Sequence, residues 1–236
     1  MPKKPVCKIS VLTLFPNFIL DYSKFGIIQR AIKNKLREIK AVNLRDFGLD
    51  ERQTVDDRPY GGGAGMVLRP DVVYKAITAW KKKQKNKKTR VILMSPQGKV
   101  FSQKVAQGLT KYDSILFVCG RYEGFDERIL KFVDEEISIG DYVLMGGELP
   151  ALVITETLLR LIPGVVGKYE STENESFSEN LLEYPQYTKP EIWKVEGKNL
   201  SVPKVLLSGN HGKVSEWRKT EAVKKTKKRR PDLFLK

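Results

Sequence analysis

The sequence predicts an α/β domain built on a parallel sheet, followed by a small helical C-terminal domain. Strand-like and helix-like segments alternate along roughly the first two thirds of the chain. The candidate strands are continuous apolar runs, which is typical of parallel strands buried on both faces. The length of 236 residues is enough for one large domain with a small satellite.

The first elements follow from the spacing of apolar residues. A strand, "CKISVLTLF" (7–15), precedes an amphipathic helix, "FGIIQRAIKNKL" (25–36). Two buried strands, "TRVILMSP" (89–96) and "SILFVCG" (114–120), are separated by a helix that begins at Ser102. This alternation favours parallel pairing of the strands.

The next elements lead to the end of the first domain. A short helix is expected at "FDERILKFV" (125–133) and a β-like run at "EEISIGDYVL" (135–144). The helix "LPALVITETLLRLIPG" (149–164) has Pro150 in its first turn and Gly164 near its C-terminal end. We therefore expect the first domain to cover residues 1–166.

The remaining chain changes character at Gly167. Residues 167–190 are polar, carry five glutamates and show no sustained period, as in a linker or an ordering loop. Residues 191–236 are expected to form a small basic domain, in which Gly209 or Asn210 precedes a helix containing Trp217.

The net charge of +15 suggests a polyanionic partner, with nucleic acid before an acidic membrane surface. Positive charge is concentrated in two runs. Residues 81–90, basic at seven of ten positions, are equally consistent with a solvated loop and with a binding surface. Residues 218–230, basic at eight of thirteen, favour a face that contacts phosphates.

Several classes of protein are disfavoured. Cys7 and Cys119 lie in separate β-rich runs and are expected to be buried free thiols rather than a disulfide. No Cys/His cluster has zinc spacing, and His211 is the only histidine, so no metal site is predicted. No apolar run could cross a membrane and "MPKKPVCKIS" lacks the core of a signal peptide, which favours the cytoplasm.

Three turn-rich stretches each follow a strand, at 95–102, 119–128 and 139–150. Ligands of parallel α/β folds bind at the carboxyl ends of strands, so these loops are expected to form one pocket. Backbone groups there suit a flat heteroaromatic ring such as adenine. Gly140, Gly146 and Gly147 are expected to let the backbone approach the ligand.

A fourth glycine-rich stretch, "DDRPYGGGAGMVLRPD" (56–71), is not a phosphate-binding loop, because GK[ST] and a following helix signal are missing. A flexible loop facing the substrate, with Asp56, Asp57 and Arg58 at its root, fits better. The dinucleotide fingerprint is also missing, which makes a nicotinamide-dependent oxidoreductase the least favoured enzyme class.

These blocks together resemble a known family. "DDRPYGGGAGM", "SPQGKVFSQ", "CGRYEGFDER", "SIGDYVLMGGELPALVITE", "RLIPGVVG" and "ESFSENLLEYPQYTKP" occur in the order typical of bacterial tRNA (guanine-N1)-methyltransferases, the TrmD family of the SPOUT superfamily. The similarity continues through "LLSGNHGKVSEWR" and "RRPDLF" and so covers nearly the whole chain.

The resemblance implies a fold, a reaction and partners. The implied fold is an α/β SPOUT domain with a C-terminal trefoil knot, in a homodimer with composite active sites. The implied reaction transfers a methyl group from S-adenosylmethionine to N1 of the tRNA guanosine at position 37, on the 3′ side of the anticodon. An activated methyl donor needs no metal, although the family resemblance leaves a role for magnesium open.

The resemblance also implies the catalytic residues. Guanine N1 carries a proton at neutral pH, so transfer needs a base at N1 and a positive donor near O6. Glu175 occupies the position of the family's catalytic aspartate, and Arg160 that of its cationic partner. Glu183 corresponds to an acid that helps to hold the target base, whereas Gln186 and Lys189 replace the usual His and Arg.

The resemblance also implies which residues bind the substrate and the methyl donor. Asp57 and Gly61 of the glycine-rich loop are expected to contact the substrate. The residues implied to bind S-adenosylmethionine come from the three strand-end loops: Ser95, Pro96, Gln97, Gly98, Gly120, Tyr122, Glu123, Gly124, Ser138, Ile139, Gly140, Asp141, Tyr142, Val143, Leu144, Gly146, Gly147 and Pro150.

Two alternatives remain open beside tRNA guanine methylation. A methyltransferase of the same fold and donor would act on a different acceptor, for instance a ribose 2′-hydroxyl. A basic RNA-binding module without activity would carry Glu175 as a mark of lost catalysis. Binding of S-adenosylmethionine separates the enzymes from the module, and the site of the new methyl group separates the two enzymes.

Overall fold

The computed structural model describes residues 8–166, 175–177 and 179–235. The chain divides into two compact units, Met1–Gly167 and Lys168–Lys236. The predictions for Cys7 and for the glutamates Glu170 and Glu173 lie outside the described residues.

The first unit is built on a five-stranded parallel sheet with the strand order β2-β1-β6-β5-β7. A separate antiparallel pair, β3 and β4, precedes α3. The strands are β1 (Lys8–Thr13), β2 (Glu38–Asn43), β3 (Asp56–Asp57), β4 (Val67–Leu68), β5 (Thr89–Val100), β6 (Ser114–Cys119) and β7 (Glu135–Ser138). The helices are α1 (Pro16–Tyr22), α2 (Gly26–Lys33), α3 (Pro70–Lys82), α4 (Gln103–Leu109) and α5 (Glu148–Arg160).

Both faces of the sheet are buried, as predicted. One core packs α1, α2, α4 and α5 against side chains such as Ile92 of β5 and Phe117 of β6. The other packs α3 and the 3₁₀ segment Glu127–Phe132 against the opposite side chains of the same strands, such as Leu93. Because β1, β5 and β6 each contribute to both cores, their apolar runs are continuous.

The register of β5 produces the first of the three loops. Met94 and Lys99 both pair with Ile137 of β7, so residues 95–98 bulge out of the ladder. A Cβ atom on Gly98 would lie 2.5 Å from the carbonyl carbon of Glu136. The absence of a side chain there lets the bulge pack closely against β7.

Some predicted boundaries were wrong. The β-like run 135–144 ends at Ser138, because Gly140 adopts a φ of +148° and the chain leaves the sheet. The helix expected at 125–133 is the shorter 3₁₀ segment. By contrast, Ser102 does begin α4, and its side chain accepts a hydrogen bond from Val105 N at 3.4 Å.

The second unit combines a β-hairpin with helices. The hairpin consists of β8 (Ile192–Val195) and β9 (Lys198–Ser201), and it is followed by α6 (Lys204–Leu207), α7 (His211–Arg229) and the 3₁₀ segment Pro231–Leu235. Asn210 caps α7 and accepts a hydrogen bond from Lys213 N at 3.1 Å. The purely helical prediction omitted the hairpin, whose turn residues Glu196 and Gly197 have φ of +50° and +71°.

Part of the predicted linker packs within the second unit. Leu182 N donates a hydrogen bond to Thr226 Oγ1 of α7 at 2.8 Å, and Lys225 Nζ donates to the carbonyl of Glu183 at 2.9 Å. Arg218 stacks on the ring of Tyr184. These contacts anchor the acidic segment to the basic helix.

The burial of Cys119 and the length of the helices bear on two predictions made from the sequence. Cys119 is a buried free thiol, and burial raises its pKa well above the usual range. In the described ranges, every helix is too short or too polar to span a bilayer.

Candidate active site

A cavity of about 300 Å³ lies at the bulge of β5 and at the ends of β6 and β7, on the edge at which parallel α/β folds bind ligands. Residues 95–97 of the bulge and the loops after β6 and β7 line it. Every residue that the sequence predicted for the cofactor lines this cavity except Gly98 and Asp141. Gly98 packs against the backbone of β7, and Asp141 is exposed on the surface of its loop.

The glycines of the cavity pack closely against neighbouring protein groups, which the sequence did not predict. A Cβ atom on Gly147 would lie 2.8 Å from Cys119 Cα and 2.9 Å from Met94 Cβ. One on Gly140 would lie 2.5 Å from the Tyr142 ring, and one on Gly146 would collide with Arg121 and Glu148. These glycines therefore let the loops pack against protein groups and shape the cavity, whereas their approach to a ligand stays a prediction.

The cavity wall is acidic. Its lining residues include one cation, Arg121, and four carboxylates. The carboxylates are those of Glu123, Asp126, Glu127 and Glu136. A hydrogen bond from Arg128 lowers the pKa of Asp126, so this acid is ionised at neutral pH. An acidic wall attracts a ligand that carries positive groups.

An ion pair between the buried Glu148 and the partly exposed Arg121 supports the cavity wall. Glu148, in the first turn of α5, is only 2% exposed. It accepts hydrogen bonds from Thr13 Oγ1 at 2.6 Å and from Arg121 Nε at 3.2 Å. The Arg121 guanidinium also lies 4.4 Å from the centre of the Phe15 ring. Sequence reasoning missed both charged residues, although each lies inside a quoted motif.

Tyr122 is the strained residue of the cavity. Its φ is +59°, a left-handed conformation that is costly for an aromatic residue. The turn is held by hydrogen bonds from Glu123 N to the Met66 carbonyl at 3.0 Å and from Gly124 N to the Arg121 carbonyl at 3.1 Å. Such strain is concentrated at functional sites.

The glycine-rich loop lies beside the cavity. A Cβ atom on Gly65 would collide with the side chain of Glu123, so the end of the loop packs directly on a cavity residue. The Asp57 carboxylate accepts a hydrogen bond from Arg69 at 3.0 Å at the root of the loop. Gly61 has a φ of +85°, and a Cβ atom added there would meet no other group within 4 Å. Neither Asp57 nor Gly61 lines the cavity.

Arg160 is remote from this cavity within one chain. It ends α5, whereas Gly147 and Pro150, which line the cavity, lie at the start of that helix. The ten residues from Pro150 to Arg160 extend about 15 Å along the helix axis. Arg160 instead lines a second cavity of about 280 Å³, together with Tyr22, Leu149, Leu152, Val153, Glu156 and Thr157.

The predicted acids Glu175 and Glu183 belong to the second unit. Glu175 is half-buried. Glu183 N donates to Ser176 Oγ at 3.0 Å, and Glu183 Oε1 accepts from Gln186 Nε2 at 2.6 Å. Gln186 therefore orients Glu183. In the described ranges, no three His, Cys, Asp or Glu side chains group as metal ligands.

Comparison with known proteins identifies the family. The family model described as "tRNA (Guanine-1)-methyltransferase TrmD" matches residues 7–236. Proteins named tRNA (guanine-N(1)-)-methyltransferase are similar to the chain over most of their length. One from Thermotoga petrophila is 50% identical over 228 residues, which is 97% of this chain and 90% of the relative. One from Clostridium botulinum is 48% identical over 227 residues, 96% and 92% of the two chains. The chain therefore belongs to the tRNA (guanine-1)-methyltransferase family TrmD.

Proposed function

We propose that the protein methylates N1 of the tRNA guanosine at position 37, using S-adenosylmethionine as the methyl donor. The family match over residues 7–236 and the names of its relatives support the reaction. The structural observation that carries the proposal is the cavity formed by the three strand-end loops. A cytoplasmic location follows from a tRNA substrate.

S-Adenosylmethionine suits the lining of this cavity. The volume lies at the lower end of the range for small-molecule sites. The acidic wall complements the sulfonium and ammonium groups of the ligand. When bound, the ligand supplies a methyl group on a positively charged sulfur. No step of the proposal uses a metal ion.

The acceptor is activated by two charged residues. Glu175 takes the N1 proton as the methyl group arrives, which makes N1 nucleophilic and contributes roughly 10²–10⁴-fold. Arg160 donates to O6, where negative charge accumulates as the proton leaves. Glu183, held by Gln186, binds the target base, together with Asp57 and Gly61 of the glycine-rich loop.

We infer that the active form is a homodimer with composite sites. Arg160 lies about 15 Å along α5 from the cofactor cavity, so a second copy must supply it. The surface around Arg160 is apolar and exposed, as expected of an interface. It includes Leu149 and Val153, which line the same cavity as Arg160 and are 50% and 47% exposed in the single chain.

Each region of the chain has its own role in the proposed reaction. Residues 1–166 bind the methyl donor, 167–190 link the domains, and 191–236 bind tRNA phosphates through α7. Lys224, Lys227, Lys228 and Arg229 in the second half of α7 support this last role. The family match supports a trefoil knot in the first domain.

The test is methyl transfer to two tRNA transcripts that differ only at position 37. We expect methylation of the transcript with guanosine there and none with adenosine. Mass analysis of the nuclease digest should place the methyl group on the base. A methyl group on the ribose would support the alternative acceptor, and failure to bind S-adenosylmethionine in calorimetry would support a non-catalytic RNA-binding module.

A further inference from the structure

Lysines accumulate at the edge of the sheet opposite the cofactor cavity. Strands β1, β2, β5 and β6 begin level with one another, because Lys8 pairs with Glu38 and Ser114, and Thr89 also pairs with Ser114. The connections that precede β2, β5 and β6 therefore meet at the amino-terminal edge. They carry the exposed residues that we call the basic edge: Lys35, Lys83, Lys85, Lys87, Lys88 and Lys111.

The central part of the basic edge is an ordered turn. Lys83 N donates to the Trp80 carbonyl at 3.0 Å, and Lys87 N donates to the Gln84 carbonyl at 3.1 Å. The Gln84 side chain accepts a hydrogen bond from Ser114 Oγ at 3.1 Å, which attaches the turn to β6. The lysines are thus displayed from a fixed backbone, unlike those of an unstructured solvated loop.

The nearby acids in the described ranges contact other groups. Glu38 is paired with Lys8 and Lys40, and Glu135 is paired with Arg90. The carboxylates of Asp113 and Asp134 accept hydrogen bonds from the backbone amides of Lys88 and Val91. In the part of the chain that the structure describes, no lysine of the basic edge forms an ion pair.

The shape of the basic edge favours a polymeric anion. Its charges extend over neighbouring connections and line neither of the two cavities described above. A small anion would bind where charges converge, whereas a nucleic-acid backbone presents phosphates at intervals. Residues 83–88 are lysines, a glutamine and an asparagine, without the apolar side chains that insert into a bilayer.

We propose that the basic edge is a second RNA-binding surface, which binds tRNA phosphates away from the methylated base. This inference rests on the proposed tRNA substrate. The segment from Thr89 to Met94 crosses the sheet from the basic edge to the cavity, a distance of roughly 17–20 Å. The basic edge therefore contributes to RNA affinity and not to the chemical step.

The test compares two triple variants with the same change in charge. K83Q/K85Q/K87Q removes the centre of the basic edge, whereas the control K75Q/K104Q/K131Q removes exposed lysines elsewhere on the first unit. We expect K83Q/K85Q/K87Q to bind the tRNA transcript roughly tenfold more weakly at low salt. A plot of the logarithm of the association constant against the logarithm of the salt concentration should lose about one unit of slope for each lost phosphate contact. The KM for tRNA should rise while kcat is unchanged, and K83R/K85R/K87R should retain affinity.

Several outcomes would overturn the inference. Equal tRNA affinities of the two glutamine triples would show that only net charge matters. Weaker S-adenosylmethionine binding by K83Q/K85Q/K87Q would indicate a structural role. Weaker binding to phosphatidylserine vesicles with unchanged tRNA binding would point to a membrane. The binding comparison does not depend on turnover, so a wild-type protein that fails to methylate tRNA would refute the proposed function separately.

Discussion

At the scale of single residues, two charged side chains have the most specific roles in the proposal. Arg160 ends α5 at the second cavity, and Glu175 lies half-buried in the second unit. Neither lines the cavity proposed for the methyl donor. Their loss should therefore affect the chemical step much more than binding of the donor.

Arg160→Ala and Glu175→Ala are each expected to reduce kcat by roughly 10²-fold or more, because each removes a group that assists proton loss from guanine. Calorimetry should show nearly unchanged affinity for S-adenosylmethionine. Glu175→Asp serves as the control, since aspartate is usual in the family, and should retain most activity. Normal turnover by both alanine variants would refute the two assignments.

The ion pair at the cavity wall leads to a prediction about stability. Glu148→Ala would leave Arg121 and the Thr13 hydroxyl without their buried acceptor. We expect the free energy of unfolding to fall by roughly 1–3 kcal/mol, measured by urea denaturation. Glu127→Ala removes an exposed acid of the same cavity and should have little effect on stability. A similar, small change in both variants would contradict a structural role for Glu148.

At the scale of elements, the start of α5 shapes the donor cavity. Gly147 caps this helix, and Gly147 N donates to the Gly120 carbonyl at 3.1 Å. The helix can begin this close to β5 and β6 only because residue 147 has no side chain. The same approach places Gly146 and Pro150 in the cavity wall.

Gly147→Ala should destabilise the protein by roughly 1–3 kcal/mol through overpacking and should weaken S-adenosylmethionine binding. Gly108→Ala is the matched control, because a Cβ atom there, within α4, meets nothing within 4 Å. That variant should be neutral or more stable by up to about 1 kcal/mol. Thermal unfolding and calorimetry measure both effects. Equal behaviour of the two alanine variants would rule out close packing as the reason for Gly147.

At the scale of the whole molecule, the proposed active site is distributed over two copies of the chain. The donor cavity and Arg160 lie at opposite ends of α5. A rigid helix cannot bring its two ends together, so we propose that another copy places Arg160 at the cavity. The exposed apolar side chains around Arg160 suit such an interface.

Subunit mixing tests this arrangement. Leu144→Trp should fill the donor cavity and abolish activity, as Arg160→Ala should do for a different reason. If sites are composite, a mixed dimer of the two variants contains one intact site, and mixing should restore roughly a quarter of wild-type activity. Each variant mixed with itself is the control and should stay inactive. No recovery after exchange of subunits would show that each site lies within one chain.

Much of the fold was predictable from local patterns. Continuous apolar runs predicted the parallel sheet with both faces covered, and the family match confirms the predicted tRNA (guanine-N1)-methyltransferase. The strand end at Ser138 and the hairpin Ile192–Ser201 were not predicted. In both cases, backbone conformations at positive φ, at Gly140 and at Glu196-Gly197, outweighed the apolar pattern.

The sequence by itself determined the sheet, the order of the strand-end loops and the family, because apolar periodicity and long motifs are local properties of the chain. Only the tertiary structure decided that these loops enclose one cavity, that Glu148 and Arg121 form an ion pair at its wall, and that Arg160 lies at the far end of α5. These features depend on strand register and helix length, which bring residues distant in sequence together or keep them apart.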